Sequence, residues 1–259
     1  LLMCLFLLPN IPFMLGHIHP YVQPIWTIGV EEQFYLFQPQ FFRIKNKINT
    51  FIGIAILTIF LIVIKLIGFN LPGNLFLSNL ANYLYYFRIE QLLMGSMAAI
   101  IVYGYNQHEL NNNKFVQLLF KKYTQILSWV YFTGHIFLTH IAGNVFSNNA
   151  LFVISVILIV INLCITETSI IQLKTNFLIY LGKVSYGIYL LHNIVLISIL
   201  YFLKQFASNL NPLVINIILY GLTLPFSVII AGISYKYFES YFLRLKLKFS
   251  TVVKSSDIK

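Results

Sequence analysis

What most constrains this chain is a succession of apolar runs, several of them close to the roughly 20 residues that a helix needs to cross a bilayer. They lie at Leu1 to about Leu15, about Ile25 to Phe42, Phe51 to Phe69, and about Tyr83 to Tyr103. Four more follow at about Thr124 to Ile141, Leu151 to Thr166, Val184 to Leu203, and Leu213 to Tyr235. Lipid offers the backbone no hydrogen-bond partners, so spanning segments are helices or closed barrels. The alternating pattern of barrel strands is missing. Only 9% of residues are charged and 59% are hydrophobic, where a soluble domain is about a quarter charged. The chain therefore reads as all-α, a polytopic transmembrane helix bundle with about eight spans.

A net charge of +10 raises the question of nucleic acid. The charges are not gathered in a soluble basic domain, which argues against it. They sit in alternate loops and in the tail, as the positive-inside rule requires. Arg43, Lys45 and Lys47 follow the second run, Lys114, Lys121 and Lys122 the fourth, and Lys174 and Lys183 the sixth. Lys236, Arg244, Lys246, Lys248, Lys254 and Lys259 follow the eighth. The intervening loops hold His17 and His19, and later Lys204 alone. The expected organisation is one transmembrane domain over residues 1–243 and a basic cytoplasmic tail over 244–259, resting on the lipid bilayer. The chain opens inside an apolar run, so a preceding piece with two further spans is expected. Cys4 and Cys164 have no paired spacing and read as small buried hydrophobes.

Ionisable groups within spans are costly and mark function by default. Glu31 and Glu32 sit near the outer end of the second run, with Trp26 before them and Tyr35 one turn below Glu31 on the same face. The plain alternative is a solvated pair at the interface, with Trp26 as an aromatic-belt anchor. Arg88 and Glu90 open the fourth run. Arg88 could pair with Glu31, hold an anionic group, or simply snorkel to the interface. Gly95, Ser96, Ala98 and Ala99 then read as a close-packing helix face. In the seventh run Ser185, Tyr189 and His192 form one helical stripe, beside Tyr186. Glu239, after the last run, reads as a local bridge to Lys236 or Arg244. His135 and His140 form no metal signature, and no metal is expected. A Ser-His-Asp triad cannot be assembled, because the only Asp is Asp257 in the tail.

Four of these segments resemble acyltransferase family 3 of integral membrane proteins. Trp26-Thr27-Ile28-Gly29-Val30-Glu31-Glu32-Gln33-Phe34-Tyr35, running on to Pro39, is similar to that family's Trp-Ser-Leu-x-x-Glu-Glu-Gln-Phe-Tyr signature. Phe87-Arg88-Ile89-Glu90 with Gly95 resembles its Phe-Arg-x-x-x-Phe-x-x-Gly segment. Gly182-Lys183-Val184-Ser185-Tyr186 through His192 resembles its Gly-x-x-Ser-Tyr-x-x-Tyr-Leu-x-His segment, and Ser234-Tyr235 with Glu239 its closing Ser-Tyr-x-x-x-Glu. The matches fall in the family's order along most of the chain. Tyr241 stands where the family often has Pro.

The resemblance implies about ten spans and transfer of acetyl or other acyl groups. The donor would be a cytoplasmic acyl-CoA, usually acetyl-CoA, as a substrate rather than a resident cofactor. The acceptor would be sugar hydroxyls of a polysaccharide or lipid-linked glycan at the surface of a bacterial cell. Location would be a multi-pass bacterial inner or plasma membrane with the C-terminus in the cytoplasm. It nominates Glu31, Arg88 and His192 as catalytic, and Trp26, Tyr35, Glu90, Tyr186, Tyr189 and Glu239 as substrate-binding. The family's first span carries a basic residue and a His thought essential for transfer. This chain lacks that region, which leaves open the activity of this stretch alone. The reading from a different class is a transporter or glycan flippase, which explains intramembrane Arg and Glu equally well and calls for broken helices and paired halves.

Overall fold

The computed structural model describes residues 8–16, 19–44, 46–71, 73–142, 149–165, 169–206 and 210–249. Cys4, His17, Lys45, Lys254, Asp257 and Lys259 lie outside the described residues, as do the side chains of His140, Lys246 and Lys248. The chain divides into two compact units, one of Leu1–Leu15 with Trp26–Leu173 and one of Gly16–Ile25 with Lys174–Lys259. Among the described residues the regular structure is all helical.

The first unit holds α1 (Asn10–Met14), α2 (Ile25–Phe41), α3 (Lys47–Asn70), α4 (Leu75–Phe87), α5 (Ile89–Asn106), α6 (Lys114–Leu119), α7 (Lys122–Ala142) and α8 (Asn149–Cys164). Asparagines set several helix starts. The side chain of Asn46 accepts from the Ile48 amide at 2.9 Å, Asn74 from Leu77 at 3.1 Å, and Asn113 from Phe115 at 2.9 Å. Each satisfies amides that the first turn leaves without partners. α3 packs on both α4 and α5, and α8 packs on α5 and α7. One core joins Phe34, Ile54 and Leu93 from α2, α3 and α5. Another joins Ala98, Val116, Phe120, Ile161 and Ile165.

The second unit begins with a 3-10 turn, Pro20–Val22, followed in sequence by α9 (Asn176–Phe206) and α10 (Pro212–Ser234). A π-helical turn, Tyr235–Glu239, leads into α11 (Ser240–Phe249). Asn211 caps α10 through the Leu213 amide at 2.9 Å, with Pro212 at the first position, where its missing N–H costs nothing. α9 and α10 pack together, and Val184, Val195, Leu219 and Ala231 are buried. Thr223 returns its hydroxyl to the Leu219 carbonyl of its own helix at 2.6 Å, so a buried polar group stays satisfied without crossing to a neighbour.

Among the described residues three stretches are long and apolar enough to cross a membrane: Lys47–Asn70, Asn176–Phe206 and Pro212–Leu245. A shorter apolar helix covers Ala150–Cys164. Large side chains such as Leu36, Phe37, Ile56 and Phe60 point outward, and a surface of this kind needs lipid to cover it. The expected bundle of membrane helices is thus the architecture found. Three expectations change in detail. The run from Tyr83 to Tyr103 is two helices, broken at Arg88. The seventh span begins at Asn176 instead of Val184, because a helix end at the interface can carry Lys183. Cys164 is exposed, not buried, because it closes α8.

Between α3 and α4 the backbones touch. A Cβ on Gly68 would overlap the Leu77 carbonyl and the Ala81 methyl, whereas a Cβ on Gly53 of the same helix would meet nothing within 4 Å. Small residues at such crossings substitute for the hydrophobic drive that lipid removes. Gly68→Ala should therefore destabilise the protein by about 1–3 kcal/mol through overpacking. Gly53→Ala should be neutral or stabilising by up to about 1 kcal/mol, since Ala is the better helix former. Thermal unfolding of the two variants in detergent, compared with the parent, reads the difference in sign.

Candidate functional site

The signature around Glu31 lies on α2, where successive residues rotate by about 100° and serve different neighbours. Phe34 turns into the core. Gln33 exchanges two hydrogen bonds with Asn10, donating at 3.0 Å and accepting at 3.4 Å. Gln38 donates to the Ser96 hydroxyl of α5 at 3.2 Å. Trp26 stacks on Phe13 at 4.6 Å between centroids and 5° between planes. Phe13 meets Tyr86 edge-on, Tyr86 meets Tyr85, and Tyr85 meets Phe69. A run of aromatic contacts therefore holds the head of α2 to α4 and α3.

Arg88 joins α4 to α5. Its backbone is left-handed, φ 48° and ψ 30°, and its amide returns to the Leu84 carbonyl at 3.0 Å. A non-glycine residue in this conformation costs of order 1–3 kcal/mol and needs surroundings that hold it there. The guanidinium stands 5.7 Å from the Tyr85 ring, with the Lys65 ammonium 5.8 Å from the same ring.

The break places Arg88 on two clefts. The first, of ≈ 220 Å³, is lined by Trp26, Thr27, Glu31, Arg88 and Gln91, with Phe87 among its walls. Glu31 is exposed rather than tied up. Among the described residues no ion pair joins it to Arg88, so the two flank the cleft and do not close it. The second cleft, of ≈ 200 Å³, is lined by Arg88, Gln91, Glu90, Lys65 and Tyr85. There Glu90, only 6% exposed, accepts from the Lys65 ammonium at 2.6 Å. Its other oxygen is buried and has no hydrogen-bond partner among the described residues.

The sequence-derived candidates thus divide. Trp26, Glu31 and Arg88 come together. Glu90 lines the other cleft and is committed to Lys65. Tyr35 is exposed, 53%, and lines neither. Lys65 and Gln91 were not singled out from the sequence. Lys65 carried a signal that could have found it, a lone ammonium inside an apolar run, which calls for a counter-charge.

The remaining candidates belong to the second unit. His192 sits mid-helix in α9 with Nδ1 2.6 Å from the Tyr189 carbonyl. A carbonyl can only accept, so Nδ1 carries the proton of this contact. Tyr189 donates its hydroxyl to the Pro24 carbonyl at 3.2 Å, and Asn193 donates to Pro20 at 3.3 Å, fastening the 3-10 turn to α9. Ser185 bonds within its own helix, to Gly182 at 2.9 Å, and Tyr186 is exposed. Glu239 does not form the local bridge expected of it. Lys236 lies over the Tyr237 ring at 5.3 Å, and the π-helical turn brings the Glu239 carboxylate against Gly187. A Cβ on Gly187 would stand 2.9 Å from Glu239 Oε1 and 3.1 Å from the Ala231 methyl. Single π-helical turns of this kind are frequent at functional sites. His135, in the first unit, stacks on Phe152 at 4.4 Å as a packed aromatic group.

A family model described as an acyltransferase domain matches residues 4–232. No curated protein and no solved structure matches the chain.

Of the two ion pairs among the described residues, Lys65–Glu90 is the buried one and the more consequential for stability. Removing one member of a buried pair typically costs about 3–5 kcal/mol, because the other charge is stranded. Lys65→Met should lower the unfolding temperature accordingly. The double variant Lys65→Met with Glu90→Leu should recover most of that loss, since both charges go together. Thermal unfolding of the single and double variants measures the recovery.

Proposed function

The chain belongs to acyltransferase family 3, and from that premise we propose that it moves an acyl group, acetyl in the simplest case, from a cytoplasmic acyl-CoA to a sugar hydroxyl of a cell-surface or exported polysaccharide. It is a membrane acyltransferase. The donor, the acceptor and the topology, with the C-terminus on the cytoplasmic side of a bacterial membrane, are the proposal's own. What supports them is the charge pattern. The loop after α2 and the tail are basic and the opposite loops nearly free of charge, so the cleft at the start of α2 falls on the acceptor side.

The observation that carries the reading is the convergence of Glu31, Arg88 and Trp26 on one cleft. Its ≈ 220 Å³ is below the roughly 300–1,000 Å³ of sites that enclose a whole small molecule. It suits one end of an acceptor, not the entire substrate. In the transfer, with the thioester end of the donor reaching the cleft from the cytoplasmic side, the acceptor oxygen attacks the thioester carbonyl carbon, a C–O bond forms and the C–S bond breaks. The hydroxyl proton leaves toward a base, and CoA departs as its thiol once protonated. In this reading Glu31 accepts from the acceptor hydroxyl, raising the electron density on its oxygen. Arg88 offers planar, permanently charged donors for the carbonyl oxygen as it becomes an oxyanion. The absence of a closed Glu31–Arg88 bridge leaves both groups available. His192 is a further candidate base, in the second unit. Tyr189 reads better as a fastening residue than as a substrate ligand, since its hydroxyl already serves Pro24.

The broken helix at Arg88 is the one feature that a transporter reading also calls for. The family match over residues 4–232 favours the enzyme.

In cells making the whole protein at normal levels, Glu31→Gln should lower acylation of surface glycan by about a hundredfold or more. Arg88→Lys keeps the charge but loses the fork, and should lower it by about the hundredfold associated with an oxyanion donor. Mass spectrometry of the released glycan measures both. Undiminished acylation in the Glu31 variant would remove Glu31 from the mechanism.

A further inference from the structure

The basic end of the first unit plays no part in the transfer site. Arg43, just past α2, and Lys47, the first residue of α3, line a cleft of ≈ 460 Å³ with Thr50, Ile100 and Tyr103. Lys47 donates to both oxygens of Glu109, at 2.8 and 2.9 Å, and stands 4.4 Å over the Tyr103 ring. Glu109 therefore offsets Lys47. Among the described residues Arg43 has no counter-ion, so an uncompensated guanidinium remains at the cleft.

The space continues. Ala99 and Tyr103 also line an adjoining apolar groove of ≈ 480 Å³ between α5 and α8, walled by Gly95, Val156 and Val160. From Tyr103 back to Gly95 the groove follows about 12 Å of α5, at 1.5 Å per residue. An occupant of both spaces carries a negative head and a hydrocarbon chain. The positive-inside rule puts Arg43 and Lys47 at the cytoplasmic surface, so the head lies at that surface and the chain runs toward mid-bilayer.

We infer that this pair of clefts holds an anionic glycerophospholipid of the cytoplasmic leaflet, its phosphate against Arg43 and Lys47 and one acyl chain along α5 and α8. Basic pockets between helices on the cytoplasmic side are suited to anionic headgroups. Charge decides between possible occupants. A CoA thioester brings several phosphate charges against one uncompensated guanidinium, whereas a phospholipid such as phosphatidylglycerol brings a single one. The inference does not depend on the acyl-transfer reading, and its readout is retained lipid, not activity.

The purified full chain, exchanged through vesicles of phosphatidylcholine doped with phosphatidylglycerol, is assayed for retained lipid by native mass spectrometry. The parent should retain phosphatidylglycerol in preference to phosphatidylcholine. Arg43→Gln should reduce the preference about fivefold, as expected for one basic residue at a membrane surface. Arg43→Lys should keep it, and Lys121→Gln, which removes a charge elsewhere, should leave it unchanged. Ala99→Phe, which fills the apolar groove, should abolish retention. An unchanged preference in Arg43→Gln, an equal loss in Lys121→Gln, or a loss in Arg43→Lys as large as in Arg43→Gln overturns the site. Palmitoyl-CoA retained in place of phosphatidylglycerol overturns the lipid assignment.

Discussion

A lone ammonium has no stable place in hydrocarbon, and much of the first unit can be read from how Lys65 meets that constraint. It reaches Glu90 at 2.6 Å, with both side chains largely out of solvent. The contact ties α3 to the first turn of α5. The same two helices meet again where Ile54 packs with Leu93 and Phe34. Between helices lipid removes the usual hydrophobic drive, so ion pairs and close backbone approaches such as Gly68 on Ala81 matter more than apolar area. With Glu90 fixed, the start of α5 is fixed, and so is the residue two positions before it.

That residue is Arg88, and its left-handed backbone follows from the same geometry. α4 must end and α5 must begin within one residue. The Arg88 amide still closes the last turn of α4 on Leu84, while its carbonyl accepts from Gln91 and starts α5. One residue serving both helices has to leave the helical region between them. The strain is held by the Lys65–Glu90 pair on one side and by the aromatic contacts of Tyr85 and Tyr86 on the other. The result is an exposed arginine at the junction of two clefts.

The helical membrane architecture was legible in apolar run length and in the alternation of Lys and Arg, because both follow from what lipid forbids. That Glu31 and Arg88 would lie near one space was legible from chemistry, since intramembrane charges call for partners, although the two flank the cleft without an ion pair between them. The break at Arg88 was not. Apolar residues continue on both sides of it, and a left-handed turn at a non-glycine residue leaves no compositional mark. Lys65 was passed over because its run is otherwise uniformly apolar, although its charge alone demanded a partner. Glu239 was assigned to nearby Lys236 or Arg244 by sequence distance. A π-helical turn shifts the register of the side chains, and the carboxylate meets Gly187 on another helix instead.

The ten residues from Trp26 to Tyr35 show why a contiguous signature need not be a contiguous site. At about 100° per residue, Glu31 and Glu32 cannot share one direction, and only Glu31 lines the cleft with Trp26. Gln33 is turned to Asn10 on α1, which fixes the rotation of α2 about its axis through two mutual hydrogen bonds. Phe34 is drawn into the core with Ile54 and Leu93, and that burial fixes the depth of the same helix. Tyr35 is what remains on the outside. Two of the signature's polar and aromatic residues thus act on the helix, while two others, Trp26 and Glu31, line the cleft. An amide at position 33 and an aromatic ring at position 34 matter to the site for orientation, while the chemistry proposed for it rests on Glu31 and on the arginine that a broken helix brings to the same cleft.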